Sequence, residues 1–411
     1  MSLKYRSVLV LVIGTVLGLS VSIGSSMWSG LATREPPPEP IADEYLAMLA
    51  DALQRVRREY VDQIDDKTLV ENAIRGMLEG LDQHSGFLDS EQYQDIQIAT
   101  TGNYTGVGLN VELHDGVVTV AEPLEDAPAA RAGILAGDIV VAVDNIPIDG
   151  GGLTSAIEHM RGEPGTEVRL SVRRGPAGEI LDFSMLREPI HVSTVRSESL
   201  PGGYGYIRLS GFTDSTLAEL NTAAAMLSGE AGTLKGVVLD LRNNPGGVLQ
   251  AAVGVADAFL DDGLIVRGSG RVRHAHFEEF AQPGDILDGV PLAVLINQGS
   301  ASGSEIVAGA LHDHGRAELV GERSFGKGSV QSVVPLGPGS ALKLTTAHYL
   351  TPAGRMINGL GIEPDTVVQY SGDPAAQYRG PGSGVSIDED KQLSRALQSL
   401  GYGNIALSRA E

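Results

Sequence analysis

Cysteine is missing from all 411 residues, which excludes disulfides, thiolate nucleophiles and Cys-ligated zinc together. Its absence suits either redox compartment and so places the chain in neither. Basic residues are in deficit. Thirty Lys+Arg against 52 Asp+Glu leave a net charge of −22, a field that repels nucleic acid, so no nucleic-acid partner is expected. The nine histidines are scattered and none stands in a His-Glu-x-x-His pair, so neither a metal nor another cofactor is expected. No repeat with a period of about 20–50 residues runs through the chain. With 42% hydrophobic and 20% charged residues, the composition is globular, and the length suits two or three domains.

Lys4 and Arg6 precede an uncharged stretch from Ser7 to Thr33, whose apolar heart is Val8 to Leu19. A basic flank before such a run is an export signal whose basic end stays in the cytoplasm. Ser20-Val21-Ser22 offers small residues for cleavage, yet a run of about 20 residues is also long enough to span a bilayer. Either outcome sends the rest of the chain to the periplasm or cell envelope, free or anchored to the inner membrane. Pro36-Pro37-Pro38-Glu39-Pro40 then makes a stiff spacer, and residues 1–38 are assigned to the signal or anchor segment and linker.

Residues 39–99 form a helical region. Leu46, Leu49, Leu53, Val56 and Tyr60 recur at helical steps, as do Leu69, Ala73, Ile74, Met77 and Leu81 after a polar break at Asp62 to Asp66. Such stripes suit packing on the main body or on another subunit, and a homo-oligomer is expected. Residues 100–187 have another texture, with short β-rich runs, frequent glycine and one internal helix near Thr154 to Met160. From about Glu188 strands and helices alternate. Val237-Val238-Leu239-Asp240-Leu241 and Leu292-Ala293-Val294-Leu295-Ile296 read as strands buried on both faces, which predicts an α/β core with a parallel component over 188–370. The Gly/Pro/Ser/Asp-rich stretch through Ser386 and the short helix Lys391 to Leu400, within a 371–411 tail, are expected to be peripheral.

The sharpest chemistry lies at Asn297-Gln298-Gly299-Ser300-Ala301-Ser302-Gly303-Ser304-Glu305, between a strand and a helix. Small neighbours there admit a substrate, and the free amides of the helix start can hold an oxyanion. On the residues alone, the serines read more readily as helix caps than as a nucleophile. A serine nucleophile needs a base. His312, His314 and His348 stand in no triad order, which leaves a lysine, provided a dry pocket lowers its pKa from about 10.4. Lys327 is the candidate, in Gly321-Glu322-Arg323-Ser324-Phe325-Gly326-Lys327-Gly328-Ser329. That stretch nearly spells a phosphate-binding loop, but Gly328 stands where a hydroxyl is needed, and Ser329 to Leu336 lacks the helix such a loop opens.

The segment Tyr104-Thr105-Gly106-Val107-Gly108-Leu109, followed by Ala127 to Val140 and the tight turn Asp144-Asn145, resembles a PDZ domain. The resemblance implies that Val107, Gly108 and Leu109 meet the terminal carboxylate of a peptide that adds to the next strand. The blocks around Ser302, Gly326-Lys327-Gly-Ser-Val-Gln331 and Asp240-Leu-Arg-Asn-Asn-Pro-Gly-Gly247 resemble those of the carboxyl-terminal processing, or tail-specific, serine proteases. The similarity runs from about residue 45 to 367, through Arg75 to Ser85, Tyr349 to Arg355 and Gly361 to Asp365.

That resemblance implies a mixed α/β fold, with a crotonase-like protease core, a PDZ-like domain and an N-terminal helical segment. It makes Ser302 the nucleophile, Lys327 the general base and Gln331 the residue that orients the lysine. It places the oxyanion hole at the amide of Gly303 and an amide in Gly246-Gly247. Gly303 stands where alanine is commoner in the family, a departure that touches rigidity more than chemistry. Asp313 corresponds to an acidic residue sometimes linked with the dyad. Eleven helical residues span about 16 Å, so an organising role is expected of it. His84 is expected to be a loop hydrogen-bonder. The partners implied are protein or peptide substrates taken by their C-termini, an adaptor protein, and the membrane through the N-terminal segment. Two other readings stay open: a non-catalytic module that binds envelope proteins, and an enzyme held inactive until a partner or tail rearranges it.

Overall fold

The computed structural model describes residues 40–148, 152–175, 178–230, 233–337, 339–370, 387 and 389–402. The expected export segment lies outside them, as does all of the spacer but Pro40. Among the described residues, no helix is long and apolar enough to cross a membrane. The chain divides after Met77 into two compact units.

The first unit carries helix α1 (Asp43–Glu59) and most of α2 (Asp66–Glu79). Asp43 and Glu44 open α1 and Arg57 and Arg58 close it, the polarity that complements the helix dipole. Arg57 pairs with Asp66 at 3.2 Å, and Ala50, Leu53, Leu69 and Val70 of the two helices line one cavity. Of the predicted stripe, Leu46, Leu49, Val56 and Tyr60 are exposed and Leu53 is half-buried.

The second unit begins with β1 (Gly86–Leu88), α3 (Ser90–Thr101) and β2 (Asn103–Gly106). A module built on one six-stranded sheet follows. It contains β3 (Leu109–His114), β4 (Val117–Pro123), α4 (Pro128–Ala132), β5 (Ile139–Val143), β6 (Ile146–Pro147), α5 (Leu153–Met160), β7 (Glu167–Arg174) and β8 (Glu179–Leu186). The sheet order is β3-β4-β5-β7-β8, with β6 on β5, and Val120, Val140, Val168 and Leu170 bury against Ala156 and Met160 of α5. Asp144 and Asn145 both have positive φ, +50° and +63°, which is the geometry of a two-residue hairpin turn that matches strand twist. Asp138, almost wholly buried, is satisfied by Arg174 and the amide of Leu135; burial pushes its carboxyl up, but these partners hold it below the usual range. Strand β9 (Glu188–His191) returns to pair antiparallel with β2, so the module leaves and re-enters the chain at one two-stranded ladder.

The core is a six-stranded sheet. It is built from β10 (Val195–Leu200), β11 (Tyr204–Leu209), β12 (Gly236–Asp240), β15 (Leu292–Ile296), β16 (Ala317–Gly321) and β19 (Thr366–Val367), in that spatial order. The ladders from β11 through β19 are parallel. Helices α6 (Thr216–Glu230), α7 (Leu249–Asp257) and α8 (Gly303–Asp313) supply the crossovers. Side chains alternate between the two faces. Ile207, Leu239, Val294 and Leu319 point into a core with α6, α7 and α8, whereas Tyr206, Val238, Leu295 and Val320 point into a second core on the other side. Two covered faces explain why β15 is apolar at every position and β12 at every position before Asp240.

A second, antiparallel sheet comprises β1, β13 (Leu264–Gly270), β14 (Phe277–Phe280), β17 (Ser329–Gly337) and β18 (Ser340–Leu350). The last helix, α9 (Lys391–Ser399), corrects an expectation. It is not peripheral: Leu393, Ala396 and Leu397 are at most 1% exposed and cover the second face of the core sheet. Their three- and four-residue spacing, together with partners on β12, β15 and β16, makes this helix part of the core. Leu295→Ala, which opens a cavity between β15 and α9, is expected to lower unfolding stability by about 2–5 kcal/mol in denaturant titration; an unchanged midpoint would show that this face is not closed.

Candidate active site

Strand β15 ends at Ile296, and the chain crosses from it to α8 through Asn297–Ser302. Ser302 is buried and sits at φ +54°, ψ −111°. A non-glycine residue in such a conformation costs on the order of 1–3 kcal/mol, so its surroundings must over-determine it. They do. Ala301 N and Ser304 Oγ both donate to the carbonyl of Asn244, at 3.0 and 2.8 Å, and Ser300 Oγ donates to that of Leu241 at 2.8 Å. Each of these acceptors lies in the Asp240–Gly247 stretch after β12, so the two strand-end loops hold one another. Asn297 Oδ1 accepts Asn243 N at 2.9 Å, adding a further tie.

The centre of the arrangement is Glu305, fully buried in the first turn of α8. Its Oε2 accepts Ser302 N at 2.8 Å and Lys327 N at 2.9 Å; its Oε1 accepts Gly326 N at 2.7 Å and the Ser324 hydroxyl. One carboxylate thus fastens the backbone that carries Ser302 to the backbone that carries Lys327. Burial pushes its pKa above the usual carboxylate range, and the four donors, which suit the ionised form, offset only part of that rise. Sequence reading missed this residue, although Ser302-x-x-Glu305 has the spacing of a capping box.

Lys327 is half-buried in the irregular stretch before β17, and Ser329 onward is strand. A phosphate loop would open a helix there. Burial lowers the Lys327 pKa, the charge of Lys343 lowers it further, and Glu305 opposes both. Among the described residues, no hydrogen bond joins Lys327 Nζ to Ser302 Oγ. Gln331 follows a bulge in the β17–β18 ladder, and its Nε2 donates to Ser329 Oγ at 2.8 Å, not to Lys327. Tyr349, unanticipated from sequence, lies beside Ser302; burial raises its phenol, and a side-chain hydrogen bond with Ser302 works the other way.

Gly246 has φ +104°, and a Cβ there would stand 2.7 Å from Ser302 Cβ and 3.0 Å from Gly303 N. The Gly246-Gly247 turn therefore lies against the nucleophile candidate and the helix start at a distance only glycine allows. The Gly246 amide donates to Asn244 Oδ1 at 2.9 Å, which leaves Gly247 as the donor of that pair not used within its own loop. At Gly303, an added methyl would meet the Phe212 ring at 2.9 Å and Ala252 Cβ at 3.0 Å, so Phe212 fills the space a family alanine would take.

The other expected residues lie elsewhere. Asp313 pairs with Arg355 and accepts Ala353 N at 2.9 Å, pinning the Thr351–Arg355 turn; burial raises its carboxyl, but these partners bring it below the ordinary range. His312 bonds Asp313 and Asp365, His314 bonds the Leu264 carbonyl, and His348 is exposed. His84 sits in a loop where its amide donates to Asp82. In the module that contains β3–β8, Val107, Gly108 and Leu109 line a groove of about 370 Å³ together with Ile157 and Met160 of α5.

Comparison with known proteins agrees with this architecture. The profile described as Peptidase family S41 matches residues 203–368, that of the PDZ domain residues 119–174, and that of the activating protease CtpB N-terminal domain residues 29–92. A carboxy-terminal-processing protease of Bartonella bacilliformis is 43% identical over 366 residues, covering 89% of this chain and 83% of that protein. The carboxy-terminal processing protease CtpA of Bacillus subtilis is 33% identical over 374 residues, covering 88% and 78%. A solved structure assigned to the S41 proteases, from Bacteroides fragilis, superposes with a TM-score of 0.52 at 16% identity, over 90% of this chain and 99% of that one, a likeness of fold.

Glu305→Gln puts an amide NH₂ where two backbone or hydroxyl donors converge. It is expected to slow labelling of Ser302 by a fluorophosphonate probe by about tenfold or more while the protein stays folded by circular dichroism. Labelling at the parental rate would show that the carboxylate does not position the serine.

Proposed function

This chain belongs to peptidase family S41 and is a serine-type carboxy-terminal processing protease with a PDZ domain, and from that premise we propose that Ser302 and Lys327 form its catalytic dyad. The observation that carries the proposal is the Glu305 carboxylate, which bonds the backbone amides of both residues. Ser302 Oγ attacks the peptide carbonyl, Lys327 takes its proton, and the amides of Gly303 and Gly247 receive the oxyanion. Lys327 then returns the proton to the leaving amine, and water hydrolyses the acyl-enzyme. A half-buried lysine with a lowered pKa suits the base role, because only the neutral amine can accept the proton.

The same reading divides the chain into a 1–38 signal or anchor segment and linker, a 39–99 helical region, a 100–187 tail-binding domain, a 188–370 protease core and a 371–411 stretch whose helix α9 packs on that core. The Val107–Leu109 turn would hold a substrate's terminal carboxylate, and the adjacent strand would pair with its tail. Envelope proteins are the substrate class, given the basic, then apolar, N-terminus. A second reading, in which a tail in the groove completes the dyad, is favoured by one observation: Gln331 bonds Ser329 and leaves Lys327 to be engaged later.

Ser302→Ala and Lys327→Ala are each expected to abolish cleavage of a peptide with an apolar C-terminal tail, assayed with and without a second tail peptide. Parental cleavage by both variants would overturn the dyad. Lys343→Met removes a like charge that depresses Lys327, so the Lys327 pKa rises and the acid limb of the kcat/KM profile moves to higher pH. Lys343→Arg should leave that limb in place; if Lys343→Met leaves it too, the limb does not report Lys327.

A further inference from the structure

The loop that carries Gly246 and Gly247 starts in a buried ionic cluster. Arg242, with no exposed surface, directs its guanidinium at two carboxylates far apart in sequence. Its Nε and Nη2 bond Asp240, the latter at 2.6 Å. Its Nη1 bonds Asp390 Oδ1 at 3.1 Å and Gln392 Oε1 at 3.0 Å, and its Nη2 lies 2.8 Å from Asp390 Oδ2. Arg208 adds a second cation, 3.3 Å from Asp240 and bonded through Nη2 to the Arg242 carbonyl at 3.1 Å. Tyr206 completes the cluster with a hydrogen bond to Asp240 at 2.7 Å.

Charge counting shows what Asp390 does. Arg208, Arg242 and Asp240 alone would leave one uncompensated positive charge under the core sheet, a costly state in a low-dielectric interior. Asp390 neutralises it. The same carboxylate caps α9, accepting Gln392 N at 3.1 Å and Leu393 N at 3.0 Å, and Gln392 Nε2 anchors to the Val368 carbonyl at 2.8 Å. Helix α9 is thereby locked in place, and it presents two acceptors to an arginine four residues before Gly246. Residues 387–402 lie beyond the stretch matched by the S41 profile, which stops at 368.

We propose that Asp390, at the start of the C-terminal helix, is a positioning residue for catalysis: it clamps Arg242 so that the Asn243–Gly247 loop keeps its Gly247 amide at the oxyanion position beside Ser302. The chain of contacts is continuous. The Arg242 side chain is held by Asp390, its carbonyl by Arg208, Asn243 N by Asn297, and the Asn244 carbonyl by Ala301 N and Ser304 Oγ. The loop thus has two supports, the nucleophile turn on one side and the C-terminal helix on the other. The inference rests on the Ser302 and oxyanion reading given above.

The test uses the full chain and a fluorogenic peptide with an apolar C-terminal tail, at a temperature well below each variant's Tm. Asp390→Asn is expected to lower kcat about tenfold or more with KM within about twofold, and Asp390→Glu, which keeps the charge, to recover much of the loss. A folded Asp390→Asn with parental kcat overturns the proposal. If that variant does not fold, Gln392→Met, which removes one acceptor from Arg242 and leaves the cap, decides instead: a lower kcat at constant KM supports the clamp and a parental kcat refutes it. Ser302→Ala runs alongside. If it cleaves like the parent, the dyad reading itself falls; if it is inactive while the Asp390 and Gln392 variants are unimpaired, only the clamp does.

Discussion

A single buried carboxylate connects the backbone of Ser302 to that of Lys327, the two residues of the proposed dyad, and most of the local geometry follows from satisfying it. Glu305 has no exposed surface, and an ionised carboxylate so placed is tolerable only when its oxygens are filled by donors. Four donors converge on it from two directions: Ser302 N in its own helix turn, and Ser324, Gly326 and Lys327 across the site. The irregular path of residues 323–328 is the path that brings two consecutive amides and a hydroxyl to that carboxylate. Lys327 is on this path, so its backbone position relative to Ser302 is set by hydrogen bonds that involve neither reactive side chain.

The loop after β12 is constrained by contact and by charge. On the side facing Ser302, Gly246 approaches so closely that a Cβ would stand 2.7 Å from the serine Cβ. On the side facing the second core, Arg242 and Arg208 are balanced by Asp240 and Asp390. Burial pushes the Asp240 carboxyl up, yet Arg242 and Arg208 beside it hold it below the usual range. The C-terminal helix therefore does more than cover apolar surface, since its first residues complete an ionic cluster that the core sheet alone would leave charged. The Phe212 ring has a comparable place in the packing. It occupies the volume beside Gly303 and so explains why this chain carries glycine there, a substitution that from sequence looked like a simple loss of rigidity.

Much of the fold was legible because it rests on local pattern. The runs at 237–241 and 292–296 could only be strands covered on both faces, and alternate residues do enter two different cores. The Asp144-Asn145 turn was readable because left-handed conformations are selective for residue type. The assignment of α9 as peripheral failed for an identifiable reason. Its Gly/Pro-rich approach suggested a loose tail, while the pairing of Asp390 with Arg242 spans 148 positions and has no local signature. Glu305 lay between these cases: the capping-box spacing was visible, but the donors from residues 324–327 were not.

By itself the sequence determined which side chains could do chemistry: a serine among small residues at a strand-to-helix junction, a lysine in a glycine-flanked loop, and no thiol or clustered metal ligands to compete. Those readings were open to the sequence because residue type and local conformation are properties of short segments. Tertiary structure alone decided what supports them. It chose the carboxylate that fastens the serine's backbone to the lysine's, aimed Gln331 at Ser329, and brought Asp390 under the glycine loop. Each of these depends on burying a polar or charged group whose partner is remote in sequence, and such a requirement is met only when the chain is folded around it.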